Sequence, residues 1–104
     1  MPNSKETIKF LVGSYVVAML YTEEFKKDIK DLSEEALESY INILTNGIYA
    51  DVEQYFKKGG NNAVLYGNFG QIYLWKTPIE DPFNPTLTIY LQDYIKESVN
   101  YEKG

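Results

Sequence analysis

Seven carboxylates crowd the stretch from Thr22 to Glu38: Glu23, Glu24, Asp28, Asp31, Glu34, Glu35 and Glu38, against three lysines, Lys26, Lys27 and Lys30. Carboxylates in such number can do one of three things. Two of them across a cleft can hydrolyse a glycosidic bond, a cluster can hold Mg²⁺ or Ca²⁺ through oxygen, and a row on a helix can present spaced negative charge to a basic partner. The first two uses lack their signatures. Asp28 and Asp31 can share one side of a helix, but no EF-hand spacing follows them, and neither G-x-x-x-x-G-K-S/T nor G-x-G-x-x-G occurs. Glu34 and Glu38 stand one helical turn apart, on the scale of alternate phosphates along a nucleic-acid strand, so this segment has the spacing to imitate a nucleic-acid backbone. The plainer reading is a solvated helix face with i,i+4 pairs such as Glu23 to Lys27.

The rest of the composition narrows the chemistry further. The 104 residues include no histidine, no cysteine and no arginine, while ten are tyrosine. Missing are the side chain that titrates near neutrality, the strongest neutral-pH nucleophile and the usual fork for phosphate. The expectation is a protein that is not an enzyme and has no cofactor and no metal site.

A net charge of −5 with only lysine as cation argues against direct nucleic-acid binding, which needs a basic surface. The length and the 44% apolar content suit one domain over residues 1–104. The lack of cysteine excludes a disulfide framework and fits a cytoplasmic setting. The apolar run Phe10 to Tyr21 is shorter than the roughly 20 residues that cross a bilayer. Its flanks, with Lys5, Glu6 and Lys9 before it and Glu23 and Glu24 after it, are not those of a signal peptide. It reads as a buried helix with no membrane partner.

The elements that must position these residues follow from periodicity. Asn3 and Glu6 have capping-box spacing, so a helix is expected from Ser4. Ile8, Leu11, Val12, Tyr15, Val16, Met19 and Leu20 form its apolar stripe, and Glu23 to Lys30, charged around Phe25 and Ile29, continues it toward solvent. A second helix starts after Ser33, a good N-cap, with Glu34 and Glu35 in its first turn. Ala36, Leu37, Tyr40, Ile41, Leu44, Ile48, Val52, Tyr55 and Phe56 give its stripe, and Lys57 and Lys58 precede the terminating Gly59 and Gly60. Asn46 and Gly47 are its weak point, and one continuous or slightly kinked helix is expected.

The period then changes. Ala63 to Tyr66 and Gln71 to Lys76 read as a β-hairpin around Gly67 to Gly70. Ile72 and Leu74 lie on one face of the second strand, Tyr73 and Trp75 on the other, and the pattern leaves open which face meets the helices. An irregular connection is expected from Glu80 to Pro85, amid Pro78, Pro82 and Pro85. From Thr86, Leu87, Tyr90, Leu91, Tyr94, Ile95 and Val99 have helical spacing behind Pro85, which predicts a C-terminal helix that frays from Tyr101 to Gly104. The fold class is therefore α+β: two long N-terminal helices, a β-hairpin and a C-terminal helix in one small domain.

The tyrosines divide by position. Tyr15, Tyr40 and Tyr55 lie on apolar stripes and are expected to bury their rings. Tyr66, Phe69, Tyr73 and Trp75 gather on the hairpin, where aromatic side chains suit an exposed contact surface. With few cations nearby, chiefly Lys76, they lack the electrostatic funnel of a single-strand binder.

Leu65, Asn68, Leu74 and Trp75 spell L-x-x-N, five residues, then L-W. This resembles a group of small phage proteins whose hairpin reads roughly L-T-R-N-G-H-G-A-G-F-W. As in that group, an aromatic-rich first helix ends in an L-Y step, here Leu20 and Tyr21, and a D-L-S-E-E-A-L phrase, here Asp31 to Leu37, introduces the second helix. The group's histidine and arginine and most of its glycines are absent, so no role of theirs carries over. What the resemblance implies is a phage or mobile-element origin. The expected function is non-enzymatic: binding and inhibiting or regulating a host protein, one that itself binds nucleic acid being suited to an acidic surface. The seven acids with Phe69, Tyr73 and Trp75 form the expected contact surface. The alternative is a structural or assembly component that self-associates, for which a homodimer is the simplest form.

Overall fold

The computed structural model describes residues 5–76 and 85–103. Four helices, α1 (Lys5–Leu20), α2 (Glu23–Ile29), α3 (Glu34–Lys57) and α4 (Leu91–Lys103), accompany three strands, β1 (Asn62–Gly67), β2 (Gly70–Trp75) and β3 (Thr86–Tyr90). The class is α+β, as the periodicity predicts. Asn3 and Ser4, the expected start of the first helix, lie outside the described residues, as does most of the proline-marked connection, residues 77–84.

The first helix does not run to Lys30. It ends at Leu20 because Thr22 leaves the helical region at φ −72° and ψ 159°. The Thr22 hydroxyl donates to the Met19 carbonyl at 2.7 Å, and its own carbonyl accepts the amides of Phe25 and Lys26 to start α2. The break redirects the chain inward: Phe25 and Ile29, expected on a helix heading into solvent, are buried in the core. A five-residue step from Leu20 to Phe25 could not keep both on one stripe of a continuous helix.

Ser33 caps α3 as expected, its hydroxyl accepting the Ala36 amide at 3.0 Å. The helix continues through Asn46 and Gly47. Gly47 has a packing reason, since the Tyr94 hydroxyl of α4 occupies the space a Cβ would need.

The hairpin forms with Gly67 paired to Gly70. Gly67 sits against the Met19 methyl and the Tyr15 ring, too close for a side chain. The expected helical start at Thr86 is instead β3, which pairs in parallel with β1, giving the order β2-β1-β3. Thr86-Leu87-Thr88-Ile89-Tyr90 alternates with a strand's period of two, and the helix begins only at Leu91. No helical crossover is needed, because β2 has already returned the chain to the end of the sheet where β1 begins.

One sheet face, Ala63, Leu65, Ile72, Leu74, Leu87 and Ile89, packs into the core with α1 and α4, and α3 packs along α1. The hairpin therefore turns Ile72 and Leu74 inward and Tyr73 and Trp75 outward.

Candidate partner-binding surfaces

The seven carboxylates do not form one uniform surface. Glu23, Asp31, Glu34, Glu35 and Glu38 are exposed on α2, the following turn and the first turns of α3. The expected Glu23–Lys27 pair is not formed; ion pairs among the described residues include Glu53–Lys57 at 3.6 Å and Glu24–Lys96 at 2.7 Å.

Glu24 is committed internally. It accepts Lys96 Nζ, the Gln92 side-chain amide at 2.9 and 3.1 Å, and the Asn68 side-chain amide at 3.3 Å. One carboxylate thus ties the start of α2 to α4 and to the hairpin turn. The Lys96 hydrogen bond, opposed by partial burial and aided by Asn68 and Gln92, holds its carboxyl below the ordinary value.

Asp28 enters the wall of a groove of about 420 Å³ between α2, α3 and α4. Leu32, Ala36, Ser39, Tyr40, Ile43 and Val99 complete the lining. Ala36, Tyr40 and Ile43 recur at intervals of three and four, so α3 gives the groove one continuous face. Ile43 is 65% exposed, an unusual position for an isoleucine on a helix whose other stripe is buried. The pattern did carry a signal: Ile43 lies off the stripe of Leu44, Ile48 and Val52, and Leu32 sits among charges. Neither residue is picked out by searching for chemistry-bearing types. At 100° per residue, Glu34 and Glu38 stand well round α3 from Ala36 and Ile43, and Glu35 stands beside the groove face.

The aromatic residues form a second surface. With β3 in place, the outer sheet face carries Asn62, Val64, Tyr66, Gln71, Tyr73, Trp75, Thr86, Thr88 and Tyr90. The Tyr73 and Trp75 rings are parallel, 5.9 Å between centroids, and Tyr66 meets Tyr90 at 5.6 Å. Tyr66, Tyr73 and Tyr90 are 47%, 46% and 56% exposed. Tyr90 joins this surface only through the parallel pairing, so a hairpin-only reading misses it. Phe69 separates from the group: half exposed at the turn, it packs on Tyr15 at 4.7 Å on the opposite side of the sheet.

Of the stripe tyrosines, Tyr15 is buried, while Tyr40 and Tyr55 are half-buried against the core. Tyr15 donates to the Gly70 carbonyl. Tyr49, not singled out by sequence, is also buried, with Lys5 and Lys9 over its ring at 5.9 and 5.1 Å. Burial raises the phenol pKa of Tyr15, Tyr49, Tyr55 and Tyr94.

Among the described residues no group of three or more acidic side chains is gathered as a metal site, and no helix is long and apolar enough to cross a membrane. No protein-family model, curated protein or solved structure matches the chain.

Proposed function

We propose that this protein is a non-enzymatic binding protein of phage or mobile-element origin that seats a basic, amphipathic segment of a host protein in the α2–α3–α4 groove, and so inhibits or regulates it in the host cytoplasm. The observation that carries this reading is the coincidence of an open apolar groove with the acidic segment. Leu32, Ala36, Ile43 and Val99 suit the apolar side of a docked helix, the helix-in-groove mode of recognition. Asp31 and Glu35, exposed and next in chain to Leu32 and Ala36, suit lysines and arginines on its polar side. A nucleic-acid-binding host protein is the class of partner richest in such basic segments, and the resemblance to phage proteins supplies the host setting.

The test is a titration with a synthetic Leu/Lys amphipathic helical peptide, followed by methyl NMR. Shifts are expected at Ile43, Leu32 and Val99, weakening as salt is raised. Ile43→Asp should abolish them, and Asp31→Lys with Glu35→Lys should weaken binding more than Glu34→Lys with Glu38→Lys. Binding indifferent to Ile43→Asp, or no binding at low salt, would overturn the groove reading.

A further inference from the structure

We infer that the outer sheet face is a dimer interface, and that its occupant is a second copy of this chain packed face to face about a two-fold axis parallel to the strands. This surface is distinct from the groove and goes beyond the function proposed above.

The first reason is charge. None of the nine outward positions of the sheet is charged, in a chain that is 24% charged and carries −5 overall. A basic partner has nothing to pair with there, and the absence of cations disfavours a nucleic-acid strand. A copy of the same uncharged face fits without desolvating any ion.

Shape gives the second reason. The register sets the face out in three rows across the sheet: Trp75–Asn62–Thr86, Tyr73–Val64–Thr88 and Gln71–Tyr66–Tyr90. In the first two rows the bulk lies on β2, and β3 is low. A two-fold axis along β1 lays β2 of one copy over β3 of the other at the same level. Trp75 then falls over Thr86 of the second copy, Tyr73 over its Thr88 and Gln71 over its Tyr90. High meets low in the first two rows, and a hydrogen-bonding amide meets a tyrosine in the third. This is the self-complementarity an isologous interface requires.

Area gives the third. A tyrosine side chain buries on the order of 150–250 Å², so three half-exposed tyrosines leave about 300 Å² of ring surface open. The exposed Gln71, Thr86 and Thr88 and the half-buried Trp75 extend that patch toward the roughly 800 Å² per partner of a specific dimer. Two sheets packed about 10 Å apart would form the inner layers, with the helices and both grooves outside.

Sedimentation equilibrium of the full chain tests the inference. A monomer–dimer equilibrium is expected, nearly independent of salt, with Trp75 emission shifting to the blue as the dimer forms. Tyr73→Lys and, separately, Thr88→Lys should each weaken the dimer about 30-fold or more, as loss of a central contact does. Both sites are exposed, so far-UV circular dichroism should be unchanged. A chain that stays monomeric to its solubility limit, or a dimer that survives both substitutions, overturns the inference. Failure here leaves the groove untouched, since groove binding is read by Ile43 and by its salt dependence.

Discussion

Glu24 Oε1 lies 2.7 Å from Lys96 Nζ, and this contact joins residues from opposite ends of the chain. The same carboxylate holds Gln92, one turn earlier on α4, and Asn68 at the hairpin turn. A residue from the most acidic segment is therefore an internal tie, and a charge in sequence is not a charge offered to a partner. It also fixes α2 against α4, the two elements that face each other across the groove from α3.

The first prediction concerns acid stability. Lys96 foremost keeps the Glu24 carboxyl below its ordinary value of 4.5. In the window between the folded value and 4.5 the unfolded chain binds more protons, so stability rises with pH there. The contribution is present above 4.5 and is lost as pH falls through the folded value. Glu24→Gln should flatten the change in urea midpoint across this window, and Lys96→Met should do much the same.

Gly47 yields a change of sign. Replacing a helix-interior glycine with alanine ordinarily gains about 0.8–1 kcal/mol. Here the new methyl meets the Tyr94 hydroxyl, while the ring carbon behind it stands at 3.6 Å, an ordinary contact. Gly47→Ala should therefore gain little or lose stability alone, and gain close to the full propensity in a Tyr94→Phe background. Urea denaturation of the four members of this cycle should show a coupling of about 1 kcal/mol.

What could be read in the sequence was what local chemistry decides. Ser33 caps α3 because its hydroxyl reaches an amide three residues on, and the hairpin turn takes its positive φ of 140° from Gly70. The break at Thr22 was also local, but a continuous apolar run hid the five-residue step that marks it. β3 was ambiguous because Leu87, Tyr90, Leu91 and Tyr94 satisfy a helical spacing while Thr86 to Tyr90 satisfies a period of two. Its pairing with β1 decides the matter, and that contact spans more than twenty residues. The groove depends on Val99 coming opposite Ile43, which no window of sequence contains.

Alkaline titration gives a third prediction. Burial raises Tyr15, Tyr49, Tyr55 and Tyr94 above 10.0, with Glu53 raising Tyr49 further by hydrogen bond and charge. The folded chain then holds these phenolic protons after the unfolded chain has lost them. The contribution of these phenols should be full below pH 10 and be lost as pH rises through the folded values. Lys96, raised above 10.5 chiefly by Glu24, acts in the same direction. Denaturation midpoints above pH 10 should fall less steeply in Tyr49→Phe, which removes one of these phenols.

Phe69 tests whether an exposed aromatic at a turn is packing or contact surface. Its ring is 49% exposed, yet it lies 4.7 Å from the Tyr15 ring at an interplanar angle of 42°. Tyr15 in turn donates to the Gly70 carbonyl, so the turn is held to α1 by a ring pair and a hydrogen bond. A ring pair of this kind contributes about 0.5–1.5 kcal/mol beyond the area it covers. Phe69→Ala should accordingly cost about 1–2 kcal/mol, whereas a phenylalanine that served only a partner would change stability by less than about 0.5 kcal/mol. Tyr15→Leu should couple to it by about 1 kcal/mol in a double-mutant cycle. Amide exchange at Gly67 to Gly70 should quicken in either single variant, because the contact between Phe69 and Tyr15 fastens this turn to α1.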